Sequence, residues 1–117
     1  PHGAVFARRV FGPAEQAALG LPLAEEEGTA RRTAHTVASA AADFAAKEAF
    51  LKAAGTGLRE PFSLCEIEAV RLPGGAPAYH FSGRSAQWVE ARRLRAHLSL
   101  SHEDGMAMAY CILETET

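Results

Sequence analysis

Between Ala38 and Ala54 the chain is mostly alanine, and no proline or glycine interrupts it. Alanine is the best helix former, so this run predicts a long helix. Val37, Ala41, Phe44, Ala45 and Leu51 recur at roughly helical spacing and are expected to form its apolar face. So many small side chains let a neighbouring element approach closely, which predicts a central, buried helix. Gly55 is placed to stop it in the left-handed conformation.

Beyond the helix the hydropathy period changes. Pro61 begins an exit loop, and Ser63 to Leu72 alternates polar and apolar residues as a strand with one buried face does. Pro73 to Ala76 has the composition of a hairpin turn, and Pro77 to Phe81 returns as the next strand. Ser85 to Leu94 is an amphipathic helix whose Trp88 is expected to pack in the core or a subunit interface. Arg95 to Leu100 alternates again: Leu98 and Leu100 point one way, and His97, Ser99 and Ser101 the other. A turn over Ser101 to Gly105 leads to Met106–Leu113, so uniformly apolar that it reads as a central, buried strand.

Upstream, Val5 to Val10 alternates apolar and basic residues and ends a helix or its approach. Gly12-Pro13-Ala14-Glu15 opens a short helix that runs to about Leu19, with proline in the first turn and an acid at the N-terminus. Gly20 to Thr29 reads as a loop with a solvated acidic run, Glu25 to Glu27, and Thr33 as a cap for the long helix. The order of elements predicts one α+β domain over residues 1–117, a long central helix packed on an antiparallel sheet.

Composition narrows the class. Hydrophobic residues make up 48% and charged residues 22% of the 117, enough for a globular core. The net charge of -2 gives no bulk attraction to nucleic acid. No run of 18 apolar residues exists, so no membrane helix is expected. Cys65 and Cys111 have no metal-ligand spacing and read as buried free thiols in a reducing cytoplasm.

The chemistry concentrates at the end of the long helix. Glu48 and Lys52 are four apart and share a face, with Lys47 one step round. They can be an exposed helical ion pair worth ~0.3–0.5 kcal/mol. They can also be a carboxylate that holds a divalent cation among lysines that hold phosphates, with amides of the Gly55-Thr56-Gly57 turn as an anion nest. His97 and Ser99 share a strand face, but no GxSxG elbow or orienting acid supports a hydrolase.

Phe44 to Gly57 (FAAKEAFLKAAGTG) closely resembles the signature of the holo-acyl-carrier-protein synthase family, the small 4'-phosphopantetheinyl transferases. His97 to His102 (HLSLSH) resembles the family's histidine-serine strand, and Phe6 to Phe11 with Pro13-Ala14-Glu15 its first helix and following turn. The resemblance implies transfer of phosphopantetheine from coenzyme A to a serine of an apo acyl carrier protein, with Mg2+ and release of 3',5'-ADP. It implies Glu48 as the metal ligand and catalytic carboxylate. Lys47 and Lys52 would hold phosphate, Lys52 also acting in catalysis, with Gly55, Thr56 and Gly57 at the cofactor. Pro77 would flank the adenine, His97 and Ser99 would contact coenzyme A, and Arg8 and Arg9 would grip the acidic carrier. A cytoplasmic homotrimer serving fatty acid or polyketide biosynthesis, with sites between subunits, follows from the same resemblance.

Two departures stand out. The family's first strand carries an aspartate that is its second Mg2+ ligand, and no residue here matches it, so the domain is expected to lack that strand. Asp43 stands where the family usually has arginine, and it lies about 140° round the helix from Glu48, too far to substitute. The rival expectation is a catalytically impaired domain of a larger synthase that binds carrier protein or coenzyme A.

Overall fold

The computed structural model describes residues 8–20 and 30–116. Residues 8–10 are helical and lead into α1 (Pro13–Leu19) and the long α2 (Ala30–Ala54). A 3-10 turn (Leu64–Glu66) opens the hairpin of β1 (Ile67–Arg71) and β2 (Pro77–Phe81). Helix α3 (Gly83–Ala91) then precedes a second hairpin, β3 (Leu94–Glu103) and β4 (Met106–Thr115). The α+β class holds, with all pairing antiparallel, but the described strands form two separate ribbons, β1–β2 and β3–β4. No described helix is long and apolar enough to cross a membrane.

Local chemistry explains most boundaries. Gly55, with φ 79°, ends α2, and its N–H donates back to the Leu51 and Lys52 carbonyls, both at 3.1 Å. Asp104 and Gly105 both have positive φ, the geometry that joins twisted strands through a two-residue loop. Glu66 accepts from the Ser85 N–H (3.3 Å) and hydroxyl (3.2 Å), satisfying the start of α3. The acidic run and the loop around it lie outside the described residues. Helix α2 already runs by Ala30, so Thr33 lies inside it and is not its cap.

Phe50 anchors the main core. Its ring meets Phe62 edge-on at 5.5 Å and packs on Phe81 at 4.9 Å, while Phe62 meets Trp88 at 4.9 Å. Such aromatic pairs add roughly 0.5–1.5 kcal/mol each beyond burial. Tyr79 closes the set and donates its hydroxyl to the Ala46 carbonyl at 2.6 Å, tying β2 to α2. Trp88 thus packs in the core, as one of its two expected roles required.

The buried face of α2 differs from the expected one. Val37 is 61% exposed, and Ala41 and Phe44 are also exposed. The face that enters the core carries Ala42, Asp43, Ala46, Lys47, Phe50 and Leu51. Hydropathy assigns Asp43 and Lys47 to solvent, yet Lys47 is fully buried and Asp43 only 7% exposed. Lys47 Nζ donates to Glu15 Oε1 (2.5 Å) and to the carbonyls of Leu64 (3.0 Å) and Ile67 (2.6 Å). Three donors meet three acceptors, so the ammonium is satisfied without water. Glu15 is equally served: Oε1 also accepts from the Gly12 N–H (3.1 Å), and Oε2 accepts from the Ala69 N–H (2.8 Å). Burial pushes Glu15 up and Lys47 down, and their mutual attraction opposes both shifts. Every partner of the Glu15 carboxylate is a donor, which favours the ionised pair.

Asp43 has no such arrangement. It makes no hydrogen bond or ion pair among the described residues, and it lines a cleft with Ser39, Arg71 and His102. Burial and then repulsion from Glu15 raise its carboxyl from 3.8 to about 7; Glu68 adds to the rise, while Lys47 and Arg71 oppose it. Between those two pH values the folded chain holds a proton that the unfolded chain has released. Stability therefore falls as pH rises through that window, by about 1.4 kcal/mol per unit at the steepest, and levels off above about pH 7. Asp43→Asn is expected to flatten that slope and to stabilise the chain at pH 8 by roughly 2–4 kcal/mol. Urea unfolding at pH 5 and pH 8 checks this; an unchanged slope would assign the pH dependence to another group.

Candidate functional site

Lys47 turns inward, while its neighbour Glu48, about 100° further round the helix, is exposed. Glu48 and Lys52 lie on the exposed side of α2 and share one rim. On one side of them an open groove of about 470 Å³ runs between α2 and β4, with Ala45, Ala49 and Ala53 as its helical wall and Tyr110 and Cys111 opposite. On the other side an apolar recess of about 290 Å³ is formed by Phe44, Leu51, Gly57, Leu58 and Leu64. The alanines keep the groove open: larger side chains at those positions would fill it.

Neither Glu48 nor Lys52 makes an ion pair or side-chain hydrogen bond among the described residues, so the simple helical ion pair is not what the structure shows. An exposed carboxylate and an exposed ammonium with no partner among the described residues suit contact with a ligand. No group of three or more described His, Cys, Asp or Glu residues is arranged to hold a metal. Glu48 alone suits a mode in which Mg2+ takes one or two carboxylates and draws its remaining ligands from phosphate and water. It does not suit an all-protein cage.

The other expected residues divide. Lys47 does not face the groove: its ammonium is consumed on the opposite side of α2, which corrects its assignment to phosphate. Gly57 lines the recess, but the Gly55 N–H is spent on the helix end, which removes that amide from an anion nest. Thr56 donates its hydroxyl to the Gly57 carbonyl at 2.9 Å. Pro77 begins β2 opposite Arg71, half-buried and outside the groove lining.

His97 and Ser99 share an exposed face of β3, paired with Ile112 and Tyr110 of β4. His97 Nε2 lies 2.9 Å from Glu114 Oε1, and the hydrogen bond and charge of His97 hold the Glu114 carboxyl below its usual range. Tyr110, the partner of Ser99, and the half-buried Cys111 both line the groove, but His97 and Ser99 are not among its lining residues. Arg8 and Arg9 are exposed, immediately before the buried Val10 and Phe11.

Strand β4 is also not the buried central strand that its composition suggests. It pairs with β3 alone among the described residues. Met106 (65%), Tyr110 (63%) and Ile112 (65%) stand exposed on its outer face, with Met108 between them. Among the described residues nothing covers that face.

Comparison with known proteins places this geometry. A family model described as the 4'-phosphopantetheinyl transferase superfamily matches residues 1–111. Over 114 residues the chain is 40% identical to a holo-[acyl-carrier-protein] synthase of Bordetella pertussis, spanning 97% of this chain and 70% of that one. It is 39% identical to one of Leptothrix cholodnii, spanning 95% and 80%. The crystal structure of the Neisseria meningitidis holo-[acyl-carrier-protein] synthase superposes with a TM-score of 0.78 at 31% identity, covering 97% of this chain and 82% of that one. The Bacillus anthracis holo-(acyl-carrier-protein) synthase, solved in complex with CoA (3',5'-ADP), gives 0.70 at 28% identity, covering 96% and 82%. By fold, by sequence along nearly its whole length and by the signature helix that carries Glu48 and Lys52, the chain belongs to the holo-[acyl-carrier-protein] synthase family of the 4'-phosphopantetheinyl transferase superfamily.

Proposed function

We propose that this chain transfers the 4'-phosphopantetheine group of coenzyme A to a serine hydroxyl of an apo acyl carrier protein and releases 3',5'-ADP. The observation that carries the reading is Glu48 and Lys52, with no ion pair or side-chain hydrogen bond among the described residues, on the rim of an open groove, in a chain whose family is named for this reaction. The serine oxygen attacks the β-phosphorus of coenzyme A, the bond to the leaving ADP oxygen breaks, and the serine proton passes to water. Little covalent work falls to the protein in such a transfer; it positions the groups and neutralises charge. Lys52 holds phosphate oxygens. Glu48 is the residue that would hold Mg2+, which when bound neutralises diphosphate charge.

The finer assignments follow the same reading. The apolar outer face of β4 supports a homotrimer in which this face is covered, because exposed apolar strips of this kind mark contact surfaces. Assembly through it would bring His97 and Ser99 of one copy towards the coenzyme A of the next. Arg8 and Arg9 receive the acidic carrier, with Gly57 and Thr56 beside the cofactor and Pro77 near its adenine. Unpaired Cys65 and Cys111 suit a cytoplasmic setting. One observation favours a second reading, a domain that binds carrier or coenzyme A without turnover: Glu48 is the only carboxylate among the residues described as lining the groove.

Mass spectrometry of an apo carrier protein after incubation with this chain, coenzyme A and Mg2+ tests the function. Gain of one phosphopantetheine group, lost on chelation, is the expected result; binding without mass gain would favour the second reading. Glu48→Ala and Lys52→Ala are each expected to lower transfer by a factor of 100 or more, on the order of 3 kcal/mol, with the fold intact. Full activity in either variant would remove that residue from the site. Ile112→Glu is expected to convert the assembly to monomer in sedimentation, and an unchanged trimer would place the contact on another face.

A further inference from the structure

The buried ion pair sits between the two regions that the proposed transfer must bring together. Arg8 and Arg9 lie next to Val10 and Phe11, both buried, and Lys47 Nζ lies 5.6 Å from the centre of the Phe11 ring. The following Gly12 donates its N–H to Glu15 Oε1, the same oxygen that receives Lys47. From the other side, Glu68 Oε2 accepts the Glu15 N–H at 2.9 Å, so β1 grips the start of α1. Gly12 has no room for a side chain: a Cβ there would lie 2.3 Å from the Glu68 carboxyl carbon and 2.5 Å from the Cys65 carbonyl oxygen. Lys47 is the chain neighbour of Glu48. The path from the arginines to the groove therefore runs Phe11, Gly12, Glu15, Lys47, Glu48, with no solvent-exposed link between Phe11 and Lys47.

Stability alone does not account for this choice. A buried ion pair pays a large desolvation cost, and apolar residues of similar volume often hold a core as well or better. What the pair supplies is direction. Its hydrogen bonds fix α1, α2, the 3-10 turn and β1 at set lengths, where an apolar contact would tolerate sliding.

We infer that Glu15 and Lys47 are a positioning pair that sets the register between the arginine-bearing segment and the Glu48–Lys52 groove. This rests on the transferase reading proposed above. In that reaction a serine delivered on one surface must meet a phosphorus held at another, and a misplacement of about 1 Å costs on the order of 100-fold in rate. Glu15 and Lys47 touch neither substrate and act only through the residues they hold.

The test uses Glu15→Gln, whose single amide oxygen can accept from either the Gly12 or the Ala69 N–H but not both, and the double variant Glu15→Gln with Lys47→Met. Circular dichroism and thermal melting establish folding. Calorimetry measures the Kd for coenzyme A and the Kd for apo carrier protein separately, and a single-turnover experiment measures transfer from the fully bound complex. The expected result is that both Kd values stay close to wild type while the single-turnover rate falls about 100-fold in the double variant and by a smaller factor in Glu15→Gln. A merely structural role would weaken binding and lower the rate together, and that outcome overturns the inference. So does a rate unchanged in both folded variants; should the double variant not fold, the result for Glu15→Gln decides. No transfer by the wild-type chain would overturn the transferase reading itself, and the positioning role with it. Transfer at equal rates by wild type and variants would overturn the positioning role alone.

Discussion

The ion pair of Lys47 with Glu15 is the constraint on which the arrangement of this fold depends. An alanine-rich helix has little steric character of its own, so many rotations about its axis would pack tolerably against a sheet. A fully buried ammonium allows one, because its three donors must find three acceptors. Glu15 and two carbonyls between Leu64 and Ile67 supply them, and with that choice the rotation of α2 is set. The adjacent residue, of opposite charge, is sent to the solvent side. The Lys47-Glu48 pair thus acts as two separate devices, one inside and one outside, and the peptide bond between them transmits the position of one to the other.

The exposed side of α2 then acquires its character by contrast. Among the described residues Glu48 and Lys52 there have no side-chain partner, whereas the Lys47 ammonium of the buried side is saturated. Asp43 shows what burial does to a carboxylate with no hydrogen-bond or ion-pair partner among the described residues: desolvation, the largest cause, raises its pKa to about 7. It lines a cleft beside Arg71 and His102 and makes no described hydrogen bond to the Glu15–Lys47 pair, although its charge interacts with both. The outer face of β4 makes the complementary point. Apolar side chains alternate there with the half-buried residues that face α2, so the strand's uniform hydropathy serves two different surfaces.

Much of the architecture was legible along the chain. The alanine run, the glycine that ends it, the Asp104-Gly105 turn and the alternation of His97, Leu98, Ser99 and Leu100 are local properties, set by backbone preference and side-chain period. Glu48 and Lys52 were legible as a shared helical face, and the family signature around them was legible in the order of residues. Three features were not. The buried face of α2 was misplaced because hydropathy counts Lys47 and Asp43 as solvent-seeking. A lysine becomes an interior residue only when acceptors from distant segments converge on it, and those acceptors lie 17 to 32 residues away in sequence. The composition of Met106 to Leu113 could not distinguish a strand buried on both faces from one with an outer face left uncovered, since both require apolar residues throughout. Glu15 was visible as a helix-start acid, but its second role needed Lys47 and Ala69 beside it. The sequence by itself determined the elements, their order and the family, because these rest on neighbours in the chain. The tertiary structure alone decided which charges are buried, which face solvent and which strand face stays open, because desolvation and hydrogen-bond satisfaction depend on groups that only folding brings together.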